Sequence, residues 1–503
     1  MRSLDLAKFT LILLFLLALS PVHAEEVKPQ AHHAAAPATG PAAQLPQDSV
    51  TQHAITLEGR QFAYKATAGT LPVNGPKDEV AAKVFYVSYT VESANTRPVT
   101  FAFNGGPGAG AAFLHLGALG PRIVPFQANG AAAELPVHLA DNPDSWLAFT
   151  DLVFIDPVGT GYSRTIAGGT DAEKAFWSVG KDAESMAEAV RLWLSRNGRE
   201  LAPIYLAGES YGGFRVAELS NRLLGMGISL QGVVMISPAL EFSMLHGDDY
   251  AILPVSFALP SLTAANAEMH AGPEAPLDAV REAESYALTT YLVHLAGGVR
   301  EDGAVDAALA KYTGLDPDIV ARYHGRVTPG LFRREYLHRT DRILSAYDAT
   351  VSAAAPRPSE HPHYDPILDG AVSVLAPAMA SYAASELGFK TGLDYRLLNR
   401  EVSSHWDFGL KPGQQGYAGS LDSLEEARVR NPALKAFIAH GYTDLVTPFA
   451  MSRYLVSQLR PIDGAAPIDV RIYRGGHMMY LRPSSRARLS SDVRGIYAGA
   501  PAR

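Results

Sequence analysis

The strongest constraint on how this chain can fold is a series of short, near-continuous apolar runs, each followed by glycine, proline or an acidic residue. They are Val99-Thr100-Phe101-Ala102-Phe103, Leu152-Val153-Phe154-Ile155, Ile204-Tyr205-Leu206-Ala207, Gly232-Val233-Val234-Met235-Ile236, Ala436-Phe437-Ile438-Ala439 and Val470-Arg471-Ile472-Tyr473. Strands buried on both faces of a parallel sheet read this way, and helical stretches such as Ala183 to Leu194 separate some of the runs. The pattern predicts an α/β fold: a mostly parallel central sheet with helices on both faces. Ligands of such sheets bind beyond the carboxyl ends of the strands.

Ahead of these runs, Gln61-Phe62-Ala63-Tyr64-Lys65-Ala66 and Val84-Phe85-Tyr86-Val87-Ser88-Tyr89-Thr90-Val91 are expected to be antiparallel strands that open the sheet. Between residues 241 and 430 the strand rhythm stops. Helical segments such as Pro276 to Leu295 replace it, and another helix is expected to start at Asp316-Pro317, an N-cap followed by proline in the first turn. The expected organisation is a core in two parts, 49–240 and 431–503, with a largely helical cap, 241–430, inserted over the carboxyl edge of the sheet.

The first residues read as an export signal. Basic Arg2 and Lys8 precede the apolar run from Phe9 to Leu19, and Val22-His23-Ala24 fits a cleavage site after Ala24. That run is short for a membrane span, so no membrane attachment is expected once the signal is removed. Residues 25–48, rich in Ala, Pro and Gln, are expected to be a flexible leader. The chain has no cysteine, which excludes thiol chemistry and disulfides, and a bacterial periplasm or exterior fits best. A net charge of −8 with no basic stripe gives nucleic acid nothing to bind.

The chemistry is carried by Gly208-Glu209-Ser210-Tyr211-Gly212, which directly follows one of the apolar runs. This G-x-S-x-G pattern is a strand-to-helix elbow that lifts a serine hydroxyl onto a sharp turn. Ser210 is therefore the expected nucleophile. On such a fold the acid and the base follow in that order on loops after late strands. Asp444, just past the run ending at Ala439, is the expected orienting acid, and His477, just past the run ending at Tyr473, is the expected base. His440 competes with His477 by composition alone, but it sits at a strand end rather than beyond it and is read as structural. One oxyanion donor is the N–H of Tyr211, and the second is expected from the loop Asn104-Gly105-Gly106-Pro107-Gly108. A phosphate cradle is excluded there because the Lys-Ser/Thr ending of a P-loop is missing. An acyl-enzyme route on Ser210 calls for no metal and no organic cofactor.

Taken together, the elbow through Gly213, the Asn104 loop, Gly159-Thr160-Gly161-Tyr162-Ser163, Gly441-Tyr442-Thr443-Asp444 and Gly476-His477 resemble the serine carboxypeptidases of the α/β-hydrolase fold. The resemblance covers roughly residues 80 to 240 and 430 to 485. It implies an exopeptidase whose substrate is a peptide with a free C-terminus. It also implies that Gly106 joins Tyr211 in the oxyanion hole, and that Asn104 and Glu209 bind the substrate's terminal carboxylate. A glutamate facing a carboxylate makes a strong hydrogen bond only when one of the two is protonated, so activity should favour acid pH.

The sequence departs from the family pattern in four places. Ala102 stands where tryptophan is usual, Ala118 where a glutamate joins the carboxylate network, and Ala109 in place of cysteine, while Asp156-Pro157-Val158-Gly159 is one residue short. Two further readings therefore stay open: an esterase or acyltransferase using the same triad, and a binding protein on the same fold.

Overall fold

A computed structural model describes residues 40–75, 79–92, 97–132, 135–245, 250–355, 364–409 and 418–497. The expected export signal, and residues 25–39 of the expected leader, lie outside the described residues.

Nine strands form the body of one sheet: β1 Ser49–Leu57, β2 Arg60–Asn74, β3 Val80–Val91, β4 Val99–Phe103, β5 Asp151–Ile155, β6 Ile204–Glu209, β7 Leu230–Ile236, β8 Lys435–Gly441 and β9 Asp469–Tyr473. Their order across the sheet is β1-β2-β3-β5-β4-β6-β7-β8-β9, and a short strand, Arg164–Thr165, pairs with β3 as well. The pairs from β1 to β5 are antiparallel, and all pairs from β5 onward are parallel. Each apolar run in the sequence is a strand of this sheet, inner in every case but β9, which forms its edge.

Side-chain alternation splits those strands between two cores. Phe101 and Phe103 of β4, Val153 and Ile155 of β5, and Val233 and Met235 of β7 face one core. Their neighbours Ala102, Leu152, Phe154, Val234 and Ile236 face the other. Helices Val179–Asn197 and Tyr211–Gly225 cover the first face, and Pro483–Tyr497 packs on the second through Leu489 and Val493. A fully buried aliphatic or aromatic side chain stabilises the fold by about 1.5–3 kcal/mol, so these continuous runs hold the sheet as well as shape it.

The insertion differs from the single cap that its sequence suggests. The segment from Ile252 to Glu335 is helical with a core of its own, in which Leu259, Leu262, Tyr291, Leu309 and Phe332 pack together. Helix Ile252–Ala271 shows little amphipathic pattern because Val255 and Leu259 face that core while Phe257 and Ala264 face another. Asp316 caps the helix Pro317–Arg322 as expected, its carboxylate accepting from Asp318 N at 3.0 Å.

Helices Leu368–Ser385 and Leu421–Arg430, by contrast, belong to the main cores through Val374, Leu375 and Met379 on one face and Leu421, Leu424 and Ala427 on the other. The leader differs too. Pro41–Gln44 is a single 3-10 turn, and Ala42 and Leu45 are buried in the main core. Among the described residues no helix is long and apolar enough to cross a membrane.

Candidate active site

Strand order places the site. Because β4 lies between β5 and β6, its carboxyl end meets that of β6 where the chain's direction of travel across the sheet reverses, the position at which such sheets bind ligands. Phe103 pairs with Gly208, so Asn104 and Glu209 leave the sheet side by side. The loops after β8 and β9 emerge at the same edge and carry Asp444 and His477.

Ser210 sits between β6 and helix Tyr211–Gly225 with φ 60° and ψ −123°, a left-handed conformation costly for any residue but glycine. Two close approaches sustain it. A Cβ at Gly208 would strike the carbonyl of Gly212, and one at Gly212 would strike the carbonyl of Phe103. The strain thus holds a partly exposed hydroxyl at the head of the helix. Tyr211 is the first residue of that helix, and its N–H has no intrahelical acceptor. The backbone of Gly105 lies against Tyr211 N, which brings Gly106 to the same place.

Asp444 is fully buried. Its Oδ1 accepts from the N–H groups of Val446 and Thr447 at 2.8 and 3.0 Å, and its Oδ2 lies 2.9 Å from His477 Nδ1. Burial alone would raise this carboxyl, but the charge and hydrogen bond of His477 bring it below its ordinary value. Burial alone would lower His477, but Asp444 and, more weakly, Glu209 leave it above its ordinary value. Thr447 Oγ1 buttresses the pair, 2.7 Å from Asp444 Oδ2 and 3.1 Å from His477 Nδ1. From the other side, His477 N donates to the Tyr347 carbonyl at 2.5 Å.

Ser210 and His477 line one cavity of about 90 Å³ together with Gly106, Phe113, Glu209 and Met478. No hydrogen bond joins Ser210 to His477 among the described residues. The nearest acid to His477 Nε2 is Glu209, whose Oε1 is 3.6 Å away.

Glu209 forms the polar corner of this cavity and Asn104 lies against it, both buried, with Asn104 Nδ2 donating to Glu209 Oε2 at 2.6 Å. Asn104 is held at both ends: its Oδ1 accepts from Leu114 N at 3.0 Å, and its carbonyl accepts from Arg215. Burial raises the Glu209 carboxyl, and the attraction of His477 and the Asn104 hydrogen bond only partly offset this.

Ala118 brings no carboxylate here. It is buried in the turn His115–Leu119, and the ring of Tyr480 lies against its neighbour Gly117. The Tyr480 hydroxyl is buried close to Glu209 and Asn104.

All seven residues expected from the sequence thus meet at one edge of the sheet. Four more that bear on the site were not expected: Thr447, Tyr347, Tyr480 and Arg215. Only Arg215 left a signal, as a charge amid Phe214, Val216 and Ala217 on a buried helix face; its Nε donates to buried Asp182 at 2.6 Å. His440, read as structural, is buried with Nε2 2.8 Å from Ser452 Oγ, and burial lowers its pKa to about 4. Among the described residues no group of three or more His, Asp or Glu side chains could hold a metal ion.

Residues 58–241 match the family model described as serine carboxypeptidase, a stretch that contains Asn104, Glu209 and Ser210 and ends before Asp444 and His477. Serine carboxypeptidase-like 36 of Arabidopsis thaliana is 30% identical over 210 residues, 39% of this chain and 39% of its own. Serine-type carboxypeptidase F of Aspergillus niger is 26% identical over 251 residues, 48% of this chain and 42% of its own. The chain spans about two fifths of the length of these curated relatives. Among solved structures, the prohormone-processing carboxypeptidase Kex1Δp of Saccharomyces cerevisiae matches with a TM-score of 0.54 at 14% identity, over 86% of this chain and 91% of that one. The fold is that of the α/β-hydrolases.

Proposed function

We propose, for a chain that is a relative of the serine carboxypeptidases, that the protein is an exported serine-type carboxypeptidase acting on peptides with a free C-terminus. The observation that carries this reading is the buried Asn104–Glu209 pair beside Ser210 and His477. A corner that polar, in a cavity otherwise largely apolar, suits a carboxylate and little else.

In the proposed reaction Ser210 Oγ attacks the last peptide carbonyl while its proton passes to His477 Nε2, with Asp444 holding the tautomer and stabilising the imidazolium. Catalytic hydrogen bonds commonly tighten only when substrate is bound, and the Ser210 to His477 contact is read in that light. The N–H groups of Gly106 and Tyr211 receive the oxyanion. Collapse breaks the C–N bond and returns the proton to the leaving amine. Water then releases the acyl group by the same route. Asn104 and protonated Glu209 hold the terminal carboxylate until the C–N bond breaks and the C-terminal residue departs.

The test is to digest a mixture of free and C-terminally amidated peptides and weigh the products. Stepwise loss of single residues from the free peptides alone, abolished in Ser210→Ala, is the expected result. Equal cleavage of amidated peptides would remove Asn104 and Glu209 from their role. The esterase or acyltransferase reading draws on Ala118, since the cavity corner lacks a second carboxylate at that position. Rapid turnover of small acyl esters with negligible peptide hydrolysis would favour it. A phosphonofluoridate that fails to label Ser210 would point instead to a binding protein.

A further inference from the structure

A second cavity, of about 150 Å³, adjoins the first across Val446, which lines both. Its walls come from the acid loop and the helix after it, through Leu445, Pro448 and Met451, and from the helical insertion, through Val255. Arg326 and Thr328 supply its polar side chains, and no acidic residue among the described ones lines it.

Arg326 is half-buried, and its Nη1 is fully buried without a hydrogen-bond partner among the described residues. A guanidinium nitrogen taken out of water and left unpaired is a standing cost that an incoming anion removes. The backbone around Arg326 is fixed: Tyr291 Oη donates to the Gly325 carbonyl at 2.8 Å and accepts from Val327 N at 3.2 Å, inside the insertion's own core.

A wider cleft of about 590 Å³ also opens from the nucleophile's cavity, sharing Gly106, Tyr347, Leu368 and Leu398 with it. Its charges are already matched, Arg400 with Asp369 at 3.0 Å and Arg333 with Asp365 at 3.5 Å. The Arg326 cavity, by contrast, carries a guanidinium nitrogen without a partner among the described residues.

We propose that this cavity receives the side chain of the residue on the acyl side of the scissile bond, the second from the C-terminus, and that Arg326 selects an acidic one, aspartate or glutamate. The proposal rests on the carboxypeptidase reading, in which the departing residue occupies the Glu209 cavity and leaves the space beyond Val446 to the acyl side. The apolar walls pack the methylenes while the guanidinium takes the carboxylate by paired hydrogen bonds, a geometry that lysine cannot reproduce.

The experiment compares kcat/KM for matched peptides carrying Glu, Gln, Leu or Lys as the second residue from a free C-terminus, with wild-type protein and with Arg326→Met and Arg326→Lys. Wild type should prefer Glu over Gln by about 10- to 100-fold, the discrimination of one charged hydrogen bond. Arg326→Met should lose that preference and accept Leu, and Arg326→Lys should retain part of it, with thermal unfolding reporting that each variant is folded. Wild-type cleavage with Glu and Gln equal would overturn the proposal even if neither variant folds, as would a preference that survives in Arg326→Met. Failure to cut any peptide while Ser210 is still labelled is a different result: it removes the carboxypeptidase reading and this proposal with it.

Discussion

Glu209 and His477 are close enough, at 3.6 Å, to titrate as a pair rather than separately. Peptide hydrolysis requires His477 neutral, to accept a proton, and Glu209 protonated, to meet the substrate carboxylate. Both groups lie above their ordinary values, so activity should be bell-shaped in pH, with limbs that belong to the pair rather than to either residue. Ester hydrolysis, which makes no demand on Glu209, should continue to higher pH. In Glu209→Gln one member of the pair no longer titrates, so the falling limb should vanish and leave a single rising limb from His477. Profiles of kcat/KM against pH for one peptide and one ester, in both proteins, decide the matter; coincident profiles would exclude Glu209 from carboxylate binding. Tyr480 is testable at the same scale. Its buried hydroxyl stands close to Glu209 and Asn104, within reach of a carboxylate bound there. Tyr480→Phe should raise KM for free peptides about 5- to 30-fold, equivalent to a hydrogen bond worth roughly 1–2 kcal/mol, and leave ester turnover unchanged.

Between elements, the insertion braces the catalytic loops. Arg482, just after the His477 loop, donates to Glu268 at 2.5 Å and to Asp348 at 2.7 Å, all three side chains being buried. Asp348 also accepts from Thr443 Oγ1 at 2.7 Å, and its neighbour Tyr347 receives the His477 N–H. One cluster thus ties helix Ile252–Ala271 and the segment at 347–348 to the loops that hold acid and base. Removing one member leaves buried charges uncompensated, which costs about 3–5 kcal/mol. Arg482→Met should lose stability of that order in denaturant titration and should lower kcat through a loosened His477. Full kcat in a destabilised Arg482→Met protein would show that the brace serves the fold alone.

At the scale of the whole molecule, two cores share one sheet, and parts of the chain that look peripheral in sequence complete them. Leu45, in the stretch expected to be a flexible leader, is buried against the main core. Leu45→Ala should therefore cost about 2–5 kcal/mol of unfolding free energy, the range for a buried leucine, whereas a flexible residue there would show no change. The inner strands, the elbow at Ser210 and the Ser, Asp, His order were legible because each is a local pattern. A strand buried on both faces must be continuously apolar, and a nucleophile on a strained turn must be flanked by residues without a Cβ. Other features depend on segments far apart in the chain. Helix Leu421–Arg430 has the same kind of pattern as a cap helix and yet packs on the sheet, because a helical period says that one face is buried but not against what. The Tyr480 ring against Gly117, the cluster around Arg482 and the Arg326 nitrogen left without a partner among the described residues likewise arise only when distant segments pack. The sequence by itself determined the sheet, the elbow and the chemistry they can support. Only the tertiary structure decided what surrounds that chemistry, because burial and pairing belong to neighbours in space, which local periodicity does not encode.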